Sequence, residues 1–463
     1  MGGFSVRLLV RLLCLGIFPS FFLCSADVFP EDQKVRYVSL AEAAETLRMF
    51  SDSGLPGSDI DSPEAWDRWI REQDQEVRSR IDRGVEDSIS NLILYGTSYT
   101  DLPRFENPES AVTAEGSLSE GARARVHALA EAVGTATASE RIRIVQSFLK
   151  RKRIAADQAE GFLRQNLQRF AEEQRSYEKE LHEAENSRDR DQKNLTRGTL
   201  YQSRGLSADT SLLVNYALED TLRTLLDKGV IGEGKIRRIA VIGPGLDFTN
   251  KHNGYDFYPL QTIQPFAAME SVLRLKLSKA DYIEVVAMDL NPAVNAHIAK
   301  LHRDAGEGRP YVLQLPRDTG ADWPPGAVNY WEHVGDIIGA QVKPLPVPQM
   351  LRGVALHAVA VRPRYASRVT AQDLNVVAQR DHAVSGQAFD LVIATNILVY
   401  YDRFQQALAL ANIASMLKPG GLFLSNDALS SHHVQALRLL DRHAVSFSTN
   451  GPYGDNVLVY QIK

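Results

Sequence analysis

The chain of 463 residues has two cysteines, Cys14 and Cys24, and both fall within its first 26 residues. The rest can form no disulfide, no thiolate metal site and no cysteine nucleophile. No HExxH, CxxC, Walker or GxSxG pattern occurs, so the common zinc, phosphate-loop and serine-hydrolase chemistries have no sequence support. His432 and His433 are adjacent, point about 100° apart on a helix, and make a poor metal pair. Charge of one sign does not dominate either. The formal net charge is −5, and nothing marks the chain as a nucleic-acid binder.

Long apolar runs are scarce, with one exception at the start. "RLLVRLLCLGIFPSFFLCSA" places Arg7 and Arg11 before an apolar stretch that ends in the small residues Ser25 and Ala26. This pattern predicts a secretory signal peptide over 1–26, cut after Ala26. The apolar part is too short for a span of roughly 20 residues, so no membrane span is expected in the mature chain. The leader holds two arginines and no acid, which leaves a mature charge of −7. The protein is thus expected to be exported, to a periplasm or beyond; uncut and unexported, it would be cytoplasmic.

Strand-forming patterns are nearly absent between 27 and 235. Ser62 and Pro63 open a helix with Trp66, Ile70, Val77 and Ile81 at helical spacing. Further helices are expected near 118–134 and 138–152. A long polar one follows, with Leu163, Leu167, Phe170, Tyr177, Leu181 and Ala184 along one stripe. The basic run Lys150–Arg153 reads as a solvated helix face. Asn194-Leu195-Thr196 fits the glycosylation pattern, which is too frequent to weigh by itself.

Beyond about 200 the pattern becomes alternating. "IRRIAVIGPG", "YIEVVAMDLNP", "VALHAVAV", "FDLVIATNILVYY", "LFLSND" and "NVLVYQIK" read as strands, with helical segments between them. Such alternation implies an α/β fold with a mostly parallel sheet covered on both faces. The expected division is a helical domain over 27–200 and a sheet domain over 201–463. Three turns belong at the carboxyl ends of the strands, where ligands of such sheets sit. They are Gly243-Pro244-Gly245-Leu246-Asp247, Asp289-Leu290 and Asp373-Leu374. Glycines permit positive φ and close approach of a ligand. A carboxylate after the second strand can accept both hydroxyls of a ribose. A polar residue followed by an apolar one suits the edge and face of a purine.

This ordered set resembles the class I S-adenosylmethionine-dependent methyltransferases. The likeness covers about 235–463, and "NILVYYD" is similar to the chemotaxis-receptor members. It implies a Rossmann-like methyltransferase sheet with a closing antiparallel hairpin, preceded by an all-α region. The implied cofactor is S-adenosyl-L-methionine. Gly243, Pro244 and Gly245 would pass under its methionine end, Asp289 with Leu290 would hold the ribose, and Asp373 with Leu374 the adenine. Asn396 would sit near the methyl group. Two departures stand out: Val241 replaces an acid usual in the family, and the helix after the turn is delayed by "FTNKHNGYDFYPLQT". Asp247 could replace the missing acid and bind the cofactor's ammonium. Tyr255, Phe257 and Tyr258, in that delayed loop, and residues 328–339, in an insertion, read equally as a substrate wall or as the core of an added lid.

Methyl transfer to an unknown acceptor is the leading function, and no catalytic base can be read. The rival is an exported, non-catalytic binding or interaction module on the same fold. An aminopropyl transferase would need an acidic motif after strand four, where only Asp402 stands. The helical half could recognise a protein partner or cap the sheet. For the leader, mass spectrometry of the native protein should find Asp27 at the N-terminus; an intact Met1 or Gly2 on soluble cytoplasmic protein would refute export.

Overall fold

The computed structural model describes residues 35–50, 62–113, 115–135, 139–186, 205–206, 211–249, 253–381, 388–427, 436–451 and 453–463. The leader, the boundary at 200, the Asn194 pattern and the His432–His433 pair lie outside them. Strands are β1 (Val35–Tyr37), β2 (Arg238–Ile242), β3 (Glu284–Asp289), β4 (Tyr311–Asp318), β5 (Gly339–Gln341) and β6 (Val354–Val361). They continue with β7 (Val369–Asp373), β8 (Gln379–Asp381), β9 (Phe389–Ala394), β10 (Leu417–Ser425), β11 (Leu437–Ser446) and β12 (Gly454–Ile462). The first helices are α1 (Leu40–Phe50), α2 (Pro63–Tyr95), α3 (Glu120–Val133), α4 (Glu140–Arg151) and α5 (Ala159–Asn186). Then come α6 (Leu212–Asp227), α7 (Gln264–Arg274), α8 (Pro292–Gly306), α9 (Pro325–His333), α10 (Pro363–Ala366) and α11 (Arg403–Met416).

Seven strands form one sheet in the order β11-β12-β10-β9-β2-β3-β7. From β10 through β7 all neighbours are parallel, whereas β12 runs antiparallel between β10 and β11. The chain therefore starts at β2, moves outward to β3 and β7, and returns to β9 on the other side of β2. That reversal makes the β2–β9 boundary the topological switch point, where the ligand crevice of an open parallel sheet lies. Alternate residues of β2 serve opposite layers. Ile239 and Val241 face the core shared with α6, α7 and α8, and Ala240 and Ile242 face the core shared with α1 and α11.

Sequence pattern and structure differ in two places. "VALHAVAV" is a strand, β6, but it pairs antiparallel with β4 and β5 in a separate sheet inserted before β7. The region before 200 is not wholly helical, because β1 pairs antiparallel with β8. Three residues are too few for period-two alternation to show. The described helices and the sheet fall within one compact unit, Val35–Lys463.

The reason for that union is α2. Its first turns bury Trp66, Ile70 and Val77 in one core, and its last turns bury Ile89, Leu92 and Ile93 in the other. Ser62 caps its start, accepting from the Ala65 amide at 3.2 Å. At 33 residues the helix is about 50 Å long, enough to pass from one face of the sheet to the other. Arg151 and Lys152 of the basic run pair with Asp82 on α2 at 3.0 Å each, as a solvated face would.

The delayed loop between β2 and α7 has most of its described residues buried. Its carbonyls are satisfied by Arg141 of α4, whose side chain is 3% exposed. The guanidinium donates to the carbonyls of Phe248 and Tyr258, and to that of Asp247 at 3.0 Å. Asp256 completes the clamp, accepting from the amides and hydroxyls of Thr97 and Ser98 at 2.6–3.0 Å. Each buried acceptor that loses its donor costs roughly 1–3 kcal/mol. Arg141→Ala should therefore destabilise the protein by about 3 kcal/mol or more, with partial recovery in Arg141→Lys. Thermal unfolding measures this, and an unchanged midpoint in Arg141→Ala would show that the loop holds itself.

Candidate functional site

A crevice of about 560 Å³, its open mouth included, lies at the switch point. The end of β2 supplies Ile242, Gly243 and Gly245, and the end of β3 supplies Met288, Asp289, Leu290 and Asn291. Leu374 and Val376 follow β7, and Ile397, Tyr400 and Tyr401 follow β9. Ile81 and Leu206 complete the walls. None of these residues is Lys or Arg.

Gly243 and Gly245 have φ of +64° and +72°, a left-handed conformation that residues with a Cβ rarely adopt. A methyl group on Gly243 would also overlap the side chain of Ile397. Pro244, between them, is buried. The Gly243 amide donates to the Met288 carbonyl at 2.8 Å, which fixes the turn against β3.

Asp289 is the acid on the crevice wall, and it stands opposite Asp373 in the β3–β7 register. Its Oδ1 accepts from the Asn291 amide at 2.8 Å, and its carboxylate also accepts from Gly245. The helix-cap role belongs to Asn291, whose side chain accepts from Ala293 at 2.9 Å before Pro292. Burial outweighs the amides and pushes the Asp289 carboxyl up to about 6.

Three residues expected at the cofactor, Asp373, Asp247 and Asn396, have other contacts in the structure. Asp373 is absent from the crevice walls; Arg78 of α2 grips both its oxygens, at 2.7 and 3.2 Å. Its neighbour Leu374 does line the crevice. Asp247 is 1% exposed and also absent from the walls. Its Oδ2 accepts from Tyr258 at 2.9 Å and from Gln261 at 3.0 Å, while Oδ1 has no hydrogen-bond partner among the described residues, and burial raises its pKa. Asn396 adopts φ +57° at the end of β9, and its amide donates to Asn426 Oδ1 at 2.8 Å. Asp402 caps α11 in a capping box with Gln405. Tyr255 and Tyr258 pack with Leu351 as the core of the added loop.

Ile81 and Leu206 carried no site pattern in the sequence. Ile81 continues the stripe that buries Trp66, Ile70 and Val77, and periodicity cannot separate a core position from a crevice wall. Tyr400 and Tyr401 belong to the quoted "NILVYYD" without being singled out there.

The raised Asp289 pKa has a sign that can be checked. A carboxyl whose folded pKa exceeds its unfolded value favours folding at low pH, and that contribution is lost as pH rises through about 6. Without ligand, Asp289→Asn should melt higher than the parent at pH 7.5, and the gap should close toward pH 4. Parallel melting curves across that range would contradict the burial of the carboxylate.

The sheet order with its antiparallel penultimate strand is the Rossmann-like methyltransferase sheet that the resemblance implies. No family model matches the chain. A chemotaxis protein methyltransferase of Klebsiella aerogenes is 38% identical over 77 residues, 16% of this chain and 26% of that protein. The chain thus spans about a quarter of that curated relative's length. Among solved structures, the N-methyltransferase NodS from Bradyrhizobium japonicum WM9 is 12% identical. That match covers 62% of this chain and 97% of NodS, with a TM-score of 0.25. Magnesium protoporphyrin IX methyltransferase from Synechocystis PCC 6803 is 9% identical over 60% of this chain and 86% of its own, with a TM-score of 0.26. Superpositions this loose assign no residue and no ligand.

Proposed function

We propose that the chain is an S-adenosylmethionine-dependent methyltransferase whose acceptor is unidentified. The observation that carries this is the conjunction of the Gly243–Gly245 turn with the Asp289 carboxylate at the switch point of a methyltransferase sheet. The described walls also favour this reading over a dinucleotide. A dinucleotide needs its pyrophosphate on a helix N-terminus or a cation. Here α7 begins at Gln264, well after the turn, and among the described residues lining the crevice none is Lys or Arg, while Arg78 and Arg80 stand at its rims in contact with Asp373 and Tyr400. A nucleoside without phosphate, carrying a sulfonium, suits the lone carboxylate and the aliphatic walls.

In this reading Asp289 accepts the ribose hydroxyls, and Leu290 and Leu374 pack the adenine. Gly243 and Gly245 give room for the methionine end. The bound cofactor supplies an activated methyl group. The chain's residues hold it, orient it and shield it from water, and much of the acceleration of a methyl transfer comes from such positioning. Asp373 serves by holding Arg78 at the rim. The 77-residue likeness to a chemotaxis protein methyltransferase supports a transferase over an inert module. Export by the leader is part of the proposal, and so is a protein partner for the helical half. Among the described residues no helix is long and apolar enough to cross a membrane.

Calorimetry with S-adenosylhomocysteine tests the proposal. Hydroxyls donate to the ionised carboxylate, so affinity should be flat above pH 7 and fall below about 6, by at most tenfold per unit. Charge-assisted hydrogen bonds are worth roughly 1.5–3 kcal/mol, so Asp289→Ala should bind about 10- to 150-fold more weakly. No affinity in the parent chain would overturn the methyltransferase reading and leave the binding module.

A further inference from the structure

Two crevice residues come from outside the sheet, and the backbone shows how they are held. Gly84 of α2 and Gly205 meet main chain to main chain. A methyl group on Gly84 would overlap the carbonyl of Leu206, and one on Gly205 would overlap the backbone of Arg83 and Gly84. The Leu206 amide donates to the Arg80 carbonyl at 3.2 Å, one turn earlier on α2. No other residue type permits this approach, and the crossing leaves Leu206 beside Ile81 on the crevice wall.

The same stretch of α2 is tied to both rims of the crevice. Arg78 reaches Asp373 at the end of β7, with its Nε also on Asp74 at 2.9 Å. Arg80 Nη1 donates to the carbonyl of Tyr400, after β9, at 2.8 Å. Ile81 lies three positions after Arg78, so the two side chains share a helix face. Asp74 is itself fixed, accepting from Asn375 at 2.8 Å and from Tyr37 at 2.7 Å. The helix therefore has one seat over the strand ends.

We infer that Ile81 and Leu206 form a fixed aliphatic roof over the nucleoside part of the crevice, and that the Gly84–Gly205 crossing is the device that positions it. This rests on the cofactor reading above. It gives the helical half a direct role in the site. Ile81 and Leu206 would touch the base, while Gly84, Gly205, Arg78 and Arg80 act through them as positioning residues.

The test uses the full chain with Cys14→Ser and Cys24→Ser, which leaves no thiol, and Leu206→Cys as a reporter. Seated at the crossing, the reporter thiol should react with a disulfide reagent at least tenfold more slowly than an exposed control thiol at Tyr282→Cys, and S-adenosylhomocysteine should slow it further. Adding Gly84→Ala should abolish the protection. Separately, Leu206→Ala and Ile81→Ala should each weaken binding of S-adenosylhomocysteine about five- to tenfold, as expected for a partly buried aliphatic contact. The same loss should apply to 5′-methylthioadenosine, which keeps the nucleoside and lacks the amino acid. A reporter as reactive as the control overturns the roof while leaving the cofactor reading intact. So does a loss confined to S-adenosylhomocysteine, which would place these residues at the amino-acid end. A protected reporter in a parent chain that binds neither compound overturns the cofactor reading, and the roof's function with it. Because Gly84→Ala can fail to fold, the two truncations to Ala decide independently of it.

Discussion

A guanidinium buried from solvent holds the site together. Arg141 places its charge inside the protein and spends its donors on three carbonyls of the loop between β2 and α7. Buried carbonyls without donors would make that loop costly, and a loop on the surface would leave the strand ends open. With the arginine in place, the described residues 246–249 and 253–263 pack next to the glycine turn. The nearby Asp247 is 1% exposed, and its own carbonyl is one of the three that the guanidinium reaches. The arginine comes from α4, so the helical half builds the ground on which the turn stands.

The second consequence concerns α2. A helix that buries its first turns in one core and its last turns in the other must pass the edge of the sheet between them. It passes the carboxyl edge, where Asp373 and Tyr400 receive Arg78 and Arg80. The crevice is thus closed by an element outside the alternating pattern. Burial at the crevice then sets the chemistry of Asp289. The surroundings that raise its pKa also shelter the hydrogen bonds it would make to a ribose, which strengthens them relative to water.

The sheet was legible because its signals are strong and repeated. "IRRIAVIGPG", "YIEVVAMDLNP" and "FDLVIATN" are β-branched runs ending in turn residues, and each proved to be a strand of the central sheet with its turn at the carboxyl end. The glycine turn and Asp289 followed from the same periodicity. Asp373 was legible in position but not in partner, because Arg78 is about 300 residues away in sequence and no local pattern connects them. β6 has the composition of a central strand, and alternation alone cannot say which sheet a strand joins. Gly84 sits within a polar helix where a glycine ordinarily weakens the element. Its reason is the backbone of Leu206, which sequence spacing cannot reveal. Asp247 could by position have replaced the acid missing at Val241; in the structure Tyr258 and Gln261 donate to one of its oxygens, a contact within the delayed loop that no local pattern announces.

The central claim is that a nucleoside binds at the switch point, between the strand ends and α2. Hydrogen exchange of the full chain with and without S-adenosylhomocysteine measures it most directly. The account predicts slowed exchange at residues 243–245, 289–291, 374–376 and 397–401, together with the α2 segment around Ile81. Unchanged exchange at the strand ends, or protection confined to the inserted β4–β6 sheet, would contradict it.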